Sequence, residues 1–228
     1  MSQSSDEPAA VPAILRTAAS DPDERWRQQV NVRPDRWLQR LGQDRVPAAL
    51  QRRAQLGRRD LFGIAEKVRA GTVDHSQLLV AVMMWGYGTR GYGPARTARM
   101  LAAPDAEQRI ASAFQAANDP RDGARAGYAA LADPATARLS WLGPAFGTKF
   151  LYFAGHGAVH YGSRPLILDG LVGRWVEHQA GVRLLPWTWM RSNYGRYLDL
   201  MHRWADALGW EPDQVEHRIF TLARSSQG

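Results

Sequence analysis

The chain has 228 residues, 45% of them hydrophobic and none of them cysteine, and a formal net charge of +7. That length and apolar content suffice for one generous core. The lack of cysteine excludes disulfides, thiolate metal sites and a cysteine nucleophile. No apolar run approaches the roughly 18–20 residues that cross a bilayer. The positive charge points to an anionic partner, nucleic acid being the commonest, although an arginine-rich background would leave the same mark.

Residues 1–24 are polar, acidic and rich in Pro and Ala, which predicts a disordered tail. They lack the basic and apolar stretches of a secretory signal, so the cytoplasm is the expected location. The rest, residues 25–228, reads as one helical domain. Arg25 to Gly42 is amphipathic, with a break at Arg33-Pro34. Pro47 to Gly57 and Asp60 to Ala70 follow as short helices. Asp74 is placed to cap a helix carrying Leu78, Leu79, Val82 and Met83. Pro94 opens another helix through Ala102. Asp105 to Asn118 and Arg121 to Leu131 come next. Leu139 to Ala154 reads as two helical pieces joined at Leu142-Gly143-Pro144, and 155–162 as a loop. Gly170 to Gly181, Pro186 to Gly209 and a last helix from Glu211-Pro212-Asp213 to about Ala223 complete the chain. Alternating β-branched strands are absent, so the expected class is all-α.

Of the 29 basic residues only two are lysine, Lys67 and Lys149. Where this chain needs a plain positive charge it uses arginine. Lys149 stands inside the apolar run from Ala145 to Ala154. An arginine there keeps its proton, whereas a desolvated lysine can release one and act as a nucleophile. The competing reading is a lysine whose stem covers apolar neighbours while its head reaches water. Twenty residues on, Asp169 precedes Gly170 at a helix start, where a carboxylate satisfies orphan N–H groups. A capping carboxylate can also face a cleft and stabilise a developing cation.

The order of these features resembles the helix-hairpin-helix (HhH-GPD) DNA glycosylases. Leu139-Ser140-Trp141-Leu142-Gly143-Pro144 is similar to their hairpin. Leu168-Asp169-Gly170-Leu171-Val172-Gly173-Arg174 is similar to the aspartate segment of adenine-excising members. The run Phe146 to Ala154 resembles the lysine helix of the archaeal 8-oxoguanine glycosylases, and the whole resembles bacterial proteins with the 8-oxoguanine glycosylase fold. The resemblance implies a helical glycosylase with two lobes and a cleft, Lys149 as Schiff-base lysine and Asp169 as catalytic aspartate. It implies a base-excising enzyme with possible use of the lysine as an abasic-site lyase. Two departures stand out. Trp141 occupies the place of the hairpin's first glycine. Ala145 occupies the place where the commoner members carry their lysine, one helical turn before Lys149.

The resemblance and the charge together make double-stranded DNA with a modified base the expected partner, and association with the nucleoid the expected setting. No membrane and no obligatory protein partner is implied. The helix start at Gly143, Pro144 and Ala145 would face phosphates, with the amides around Gly143 as donors, and Arg90, Arg96 and Arg174 as further DNA contacts. The glycine-rich stretch Met83 to Arg96 fits either an interhelical loop or a wedge that fills the gap left by a flipped nucleotide. Trp85, Tyr87, Trp187 and Trp189, with Tyr194, could wall a base pocket, while Tyr197, Met201 and Trp204 read as core. His156 and His160 lie among glycines with no metalloprotease pattern, and neither metal nor cofactor is expected. The substrate implied is an 8-oxoguanine-like base. The alternatives are a hypermodified base in phage DNA, a helical module that binds DNA without chemistry, and a protein-interaction domain built on the Trp-rich C-terminal region.

Overall fold

The computed structural model describes residues 9–17, 21 and 23–226. The fold is all-α, with twelve α-helices among the described residues: α1 (Ala13–Arg16), α2 (Glu24–Arg27), α3 (Pro34–Leu41), α4 (Arg58–Arg69), α5 (His75–Tyr87), α6 (Gly93–Leu101), α7 (Ala106–Ala117), α8 (Gly123–Ala132), α9 (Pro144–Ala154), α10 (Gly170–Ala180), α11 (Arg191–Leu208) and α12 (Pro212–Ser225). None of them is long and apolar enough to cross a membrane.

Two helices form the centre. In α5 every residue from Leu78 to Trp85 is buried, and in α9 every residue from Gly147 to Ala154 is. A helix that is apolar all round has no solvent face and must be enclosed. The two pack on each other, with α4 and α7 against both, α6 against α5 and α8 against α9. Gly86 permits the close approach: a Cβ there would lie 2.5 Å from Phe146 Cε1. α12 packs on both α10 and α11, and the three form a second layer. The two layers meet along the buried extended segment Pro165–Leu168.

Local differences from the sequence reading have identifiable causes. The helix expected over Pro47 to Gly57 is instead a 3-10 turn, Ala48–Leu50, followed by strand β2 (Gln55–Gly57). β2 pairs antiparallel with β1 (Gln29–Asn31), in the register Gln29↔Gly57, Val30↔Leu56, Asn31↔Gln55. β1 also interrupts the helix expected over Arg25 to Gly42. Strands of three residues are too short to show alternation, and long-range pairing decides them. α5 runs on to Tyr87 and α6 begins at Gly93, so only residues 88–92 of the glycine-rich stretch lie between helices. Asp74 makes no side-chain cap on α5. Glu107 of α7 does that work, accepting from His75 N (3.0 Å) and Ser76 N (3.1 Å).

The helix expected from Pro186 begins only at Arg191, because Asn193 Oδ1 accepts from Leu185 N (2.9 Å) and holds 185–190 in a turn. The first of the two helical pieces expected before α9 is likewise a turn. Of the N-terminal segment expected to be disordered, residues 1–8, 18–20 and 22 lie outside the described residues. Residues 9–17 are packed: Leu15 is fully buried and Ala9 O accepts from Trp204 Nε1 (2.9 Å).

Candidate active site

Lys149 and Asp169 meet. Lys149 Nζ donates to Asp169 Oδ2 at 2.8 Å, and the two side chains are only 11% and 15% exposed. The lysine does not carry its head out to water; the group is buried and paired. Asp169 is also the N-cap of α10. Its Oδ1 accepts from Leu171 N (3.0 Å) and Val172 N (3.2 Å). One carboxylate oxygen therefore serves the helix and the other faces the amine. Burial works to raise its pKa, but the charge and hydrogen bond of Lys149, with the two backbone N–H groups, outweigh burial and hold the carboxyl below its ordinary value.

The segment carrying Asp169 is extended, buried and outside any sheet, so its backbone groups need other partners. Three side-chain hydroxyls supply them. Tyr194 Oη accepts from Leu166 N (3.1 Å) and donates to Leu166 O (2.8 Å). Tyr197 Oη donates to Ile167 O (2.7 Å). Thr148 Oγ1 accepts from Leu168 N (3.1 Å) and donates to Leu168 O (3.2 Å). Thr148 precedes Lys149 on α9, and Leu168 precedes Asp169. The clamp between the two neighbours fixes the register of amine against carboxylate. Sequence reasoning missed this role for all three residues. It placed Tyr194 at a pocket wall, yet Tyr194 is fully enclosed and stacked on Tyr128 at 4.4 Å. Burial raises the Tyr194 and Tyr197 hydroxyl pKa values above the ordinary range, so both remain donors.

Around the pair, Phe146 lies one turn before Lys149 with its ring centroid 5.8 Å from Nζ. Tyr87 stacks on Phe146, centroids 4.7 Å apart and planes at 19°. Trp85, a candidate pocket wall, is buried instead. It packs edge-on against Phe153 at 5.3 Å, and its Nε1 has no hydrogen-bond partner among the described residues. Trp189 packs over Gly147 and against Tyr128 at 5.1 Å, with the Arg138 guanidinium 5.2 Å from its ring. Gly147 is two residues from Lys149, hence on another side of α9, and Trp189 is not brought to the amine. Trp187 is 60% exposed. His156 stacks on Phe62 while His160 Nε2 meets Gly155 O, so these two histidines serve different neighbours.

The candidate DNA contacts divide similarly. Gly143 caps α9, Pro144 is its first residue and Ala145 is half-exposed in the first turn. Arg174 is exposed on α10, with Nη1 3.2 Å from where a Gly170 Cβ would be, beside the Asp169 cap. Arg90 is exposed in the turn between α5 and α6. Arg96 bonds inward: Nε donates to Trp141 O (2.7 Å) and Nη1 to Tyr87 Oη (3.1 Å).

Behind the pair lies a second buried polar group. Arg58 bonds Glu216 Oε2 through Nη1 (3.3 Å) and Nη2 (3.2 Å), both side chains 1% exposed. Tyr152, one turn after Lys149, donates to Asp213 Oδ2 (3.1 Å), which Arg25 also meets at 3.1 Å. The two partners of the Arg58 pair respond differently. Burial opposes the charge on Arg58, but Tyr152 and Glu216 outweigh it and the guanidinium is held protonated. At Glu216 burial exceeds the pull of Arg58, Asp169 and Asp213 add to it, and the carboxyl is pushed up to about 7. An arginine does not give up its proton, so the titrating member of this pair is Glu216.

A family model described as "Putative 8-oxoguanine DNA glycosylase OGG-like protein" matches residues 23–220, and the chain belongs to this family. DNA is the substrate that such a family implies. No curated protein and no solved structure matches the chain.

Proposed function

We infer that the protein is a DNA N-glycosylase of the helix-hairpin-helix kind that excises an 8-oxoguanine-like base. The observation that carries this reading is the 2.8 Å contact between Lys149 Nζ and Asp169 Oδ2 in a nearly closed site. The target nucleotide leaves the stack and enters beside the pair, with the Tyr87–Phe146 rings offering a face for it. Asp169, held ionised, stabilises the positive charge that develops on the sugar. Lys149 passes one proton by way of Asp169 Oδ2 to the departing base and forms a bond from its nitrogen to C1′. The C1′–N bond to the base breaks, and its electron pair leaves with the base, which is protonated. Opening of the sugar ring, with a proton going to O4′, gives an imine. Loss of the C2′ proton then expels the 3′ phosphate, and water hydrolyses the imine.

The same contact favours a second route. Paired as it is, Lys149 could serve as the countercharge that keeps Asp169 ionised while Asp169 orients a water onto C1′. Borohydride reduction during turnover of an 8-oxoguanine duplex separates the two. A covalent adduct that disappears in Lys149→Gln supports the lysine as nucleophile. Base release with no adduct supports the water. Absence of release from 8-oxoguanine, with release from another modified base in a panel that includes phage-type hypermodified bases, corrects the substrate. Absence of release from all of them refutes the glycosylase reading.

A further inference from the structure

We propose that Trp141 stacks on a DNA base left unstacked beside the extruded nucleotide, and so registers the strand against Lys149. The proposal rests on the DNA-glycosylase reading above. Among the described residues Trp141 is the one non-glycine with positive φ, at 73°. For a bulky side chain this conformation is strained, and it persists where the surroundings enforce it. Packing does not repay the strain, because Trp141 is 52% exposed. The backbone is enforced by Arg96, whose Nε donates to Trp141 O at 2.7 Å. The indole is accompanied by Arg99, with its guanidinium carbon 4.9 Å from the ring centroid.

A half-exposed ring with an arginine over it matches a nucleotide: the ring takes the π-face of a base, and the guanidinium takes the phosphate. The two chain segments that meet at Trp141 are basic. There is no Asp or Glu between Tyr87 and Ala103, nor between Pro134 and Leu168, while Arg90, Arg96, Arg99, Arg138 and Arg164 lie in those stretches. The contact is also wired to the site. Arg96, which holds Trp141, donates to Tyr87 Oη (3.1 Å); Tyr87 stacks on Phe146 at 4.7 Å; and Phe146 lies 5.8 Å from Lys149 Nζ. The path thus runs from the Trp141 backbone through one hydrogen-bonded arginine and two stacked rings to the neighbourhood of the amine.

The test uses the full chain and a duplex holding a tetrahydrofuran abasic analogue, with 2-aminopurine placed at each position next to it in turn. Affinity is read by anisotropy and stacking by 2-aminopurine quenching. Trp141→Gly suits the positive φ and should keep or raise the melting temperature. It should bind on the order of tenfold or more weakly and lose the quenching at one position, the loss expected of one stacking ring. The dependence of binding on salt should not change, because no charge is removed. Trp141→Phe should restore most of the affinity and quenching. If wild type binds the duplex and Trp141→Gly matches it in affinity and quenching, the stacking contact is overturned and the glycosylase reading stands. If wild type binds no duplex, both fall.

Discussion

Asparagine at position 169 isolates the charge of the candidate site. Asn caps helices as well as Asp does, so the bonds from Leu171 and Val172 to Oδ1 can persist while the partner of Lys149 becomes neutral. The pair is only 11% and 15% exposed, so water replaces the lost carboxylate poorly. Removing one member of a buried pair costs about 3–5 kcal/mol, and the remaining exposed edges place Asp169→Asn near the lower end, about 3 kcal/mol. The pH dependence identifies the cause. Burial would raise the Asp169 pKa, but Lys149 and the backbone N–H groups lower it below 3.8. A carboxyl depressed in the folded state adds stability above its unfolded pKa and loses that stability as pH falls through the folded value. Wild type and variant should therefore differ most near neutrality and converge below 3.8. Urea denaturation at a series of pH values measures this. Single-turnover base release, taken where both proteins are folded, should drop by about 100-fold or more. A variant as stable as wild type at pH 7, or a gap that does not narrow on acidification, would refute the reasoning.

The hydroxyl partners of residues 166–168 give a ranked outcome. Tyr194→Phe orphans both backbone groups of Leu166, whereas Tyr197→Phe orphans only Ile167 O. With about 1–3 kcal/mol for each buried group left unpaired, the Tyr194 variant should show the larger fall in denaturant midpoint; equal falls would contradict the assignment. Glu216 predicts a second pH effect, of opposite sign. Its carboxyl is pushed up from 4.5 to about 7, so the folded state holds the proton more tightly and this group's contribution declines as pH rises between those values. Glu216→Gln lacks the titration, and the stability of wild type relative to it should shrink by about 3 kcal/mol over that window; a difference flat with pH counts against the argument. Gly86→Ala places a Cβ 2.5 Å from Phe146 Cε1. It should lower stability by about 1–3 kcal/mol and slow base release by displacing the ring nearest Lys149. Unchanged turnover would mean that the Tyr87–Phe146 pair has no part in the chemistry.

The two residues most legible in the sequence were marked by chemistry. Lys149 stood out because an arginine-rich chain put a lysine in an apolar run, and Asp169 because a helix began immediately after it. Both signals are local. What escaped notice is held by residues distant in sequence. Thr148, Tyr194 and Tyr197 reach segment 166–168 across 20 to 30 positions with no periodic mark. Glu107 caps a helix that starts 32 residues earlier. The β1–β2 ribbon has strands too short to alternate, and α11 starts late because Asn193 reaches back to Leu185. The apolar periodicity that revealed most of the helices is silent on all four. It also assigned Trp85 to a loop, because the glycines at 86 and 88 resemble a break, whereas Gly86 is there to admit Phe146.

The position of the lysine follows from the same local clamp. In the resemblance drawn from the sequence, the usual place for this amine is that of Ala145, one turn earlier on α9. A shift of one turn moves a side chain about 5.4 Å along the helix, enough to break any pairing with a fixed carboxylate. Here the aspartate segment is held by Tyr194 and Tyr197 of α11 and by its cap on α10, but its register against α9 comes from one residue. Thr148 bonds both backbone groups of Leu168, so the aspartate segment is registered to the very turn of α9 that carries Lys149. Amine and acid each follow a residue of that clamp, Thr148 and Leu168, and this adjacency sets their 2.8 Å separation. The clamp therefore sets the register of the pair whatever residue stands in the turn before α9, and Trp141 reaches the site only by way of Arg96, Tyr87 and Phe146.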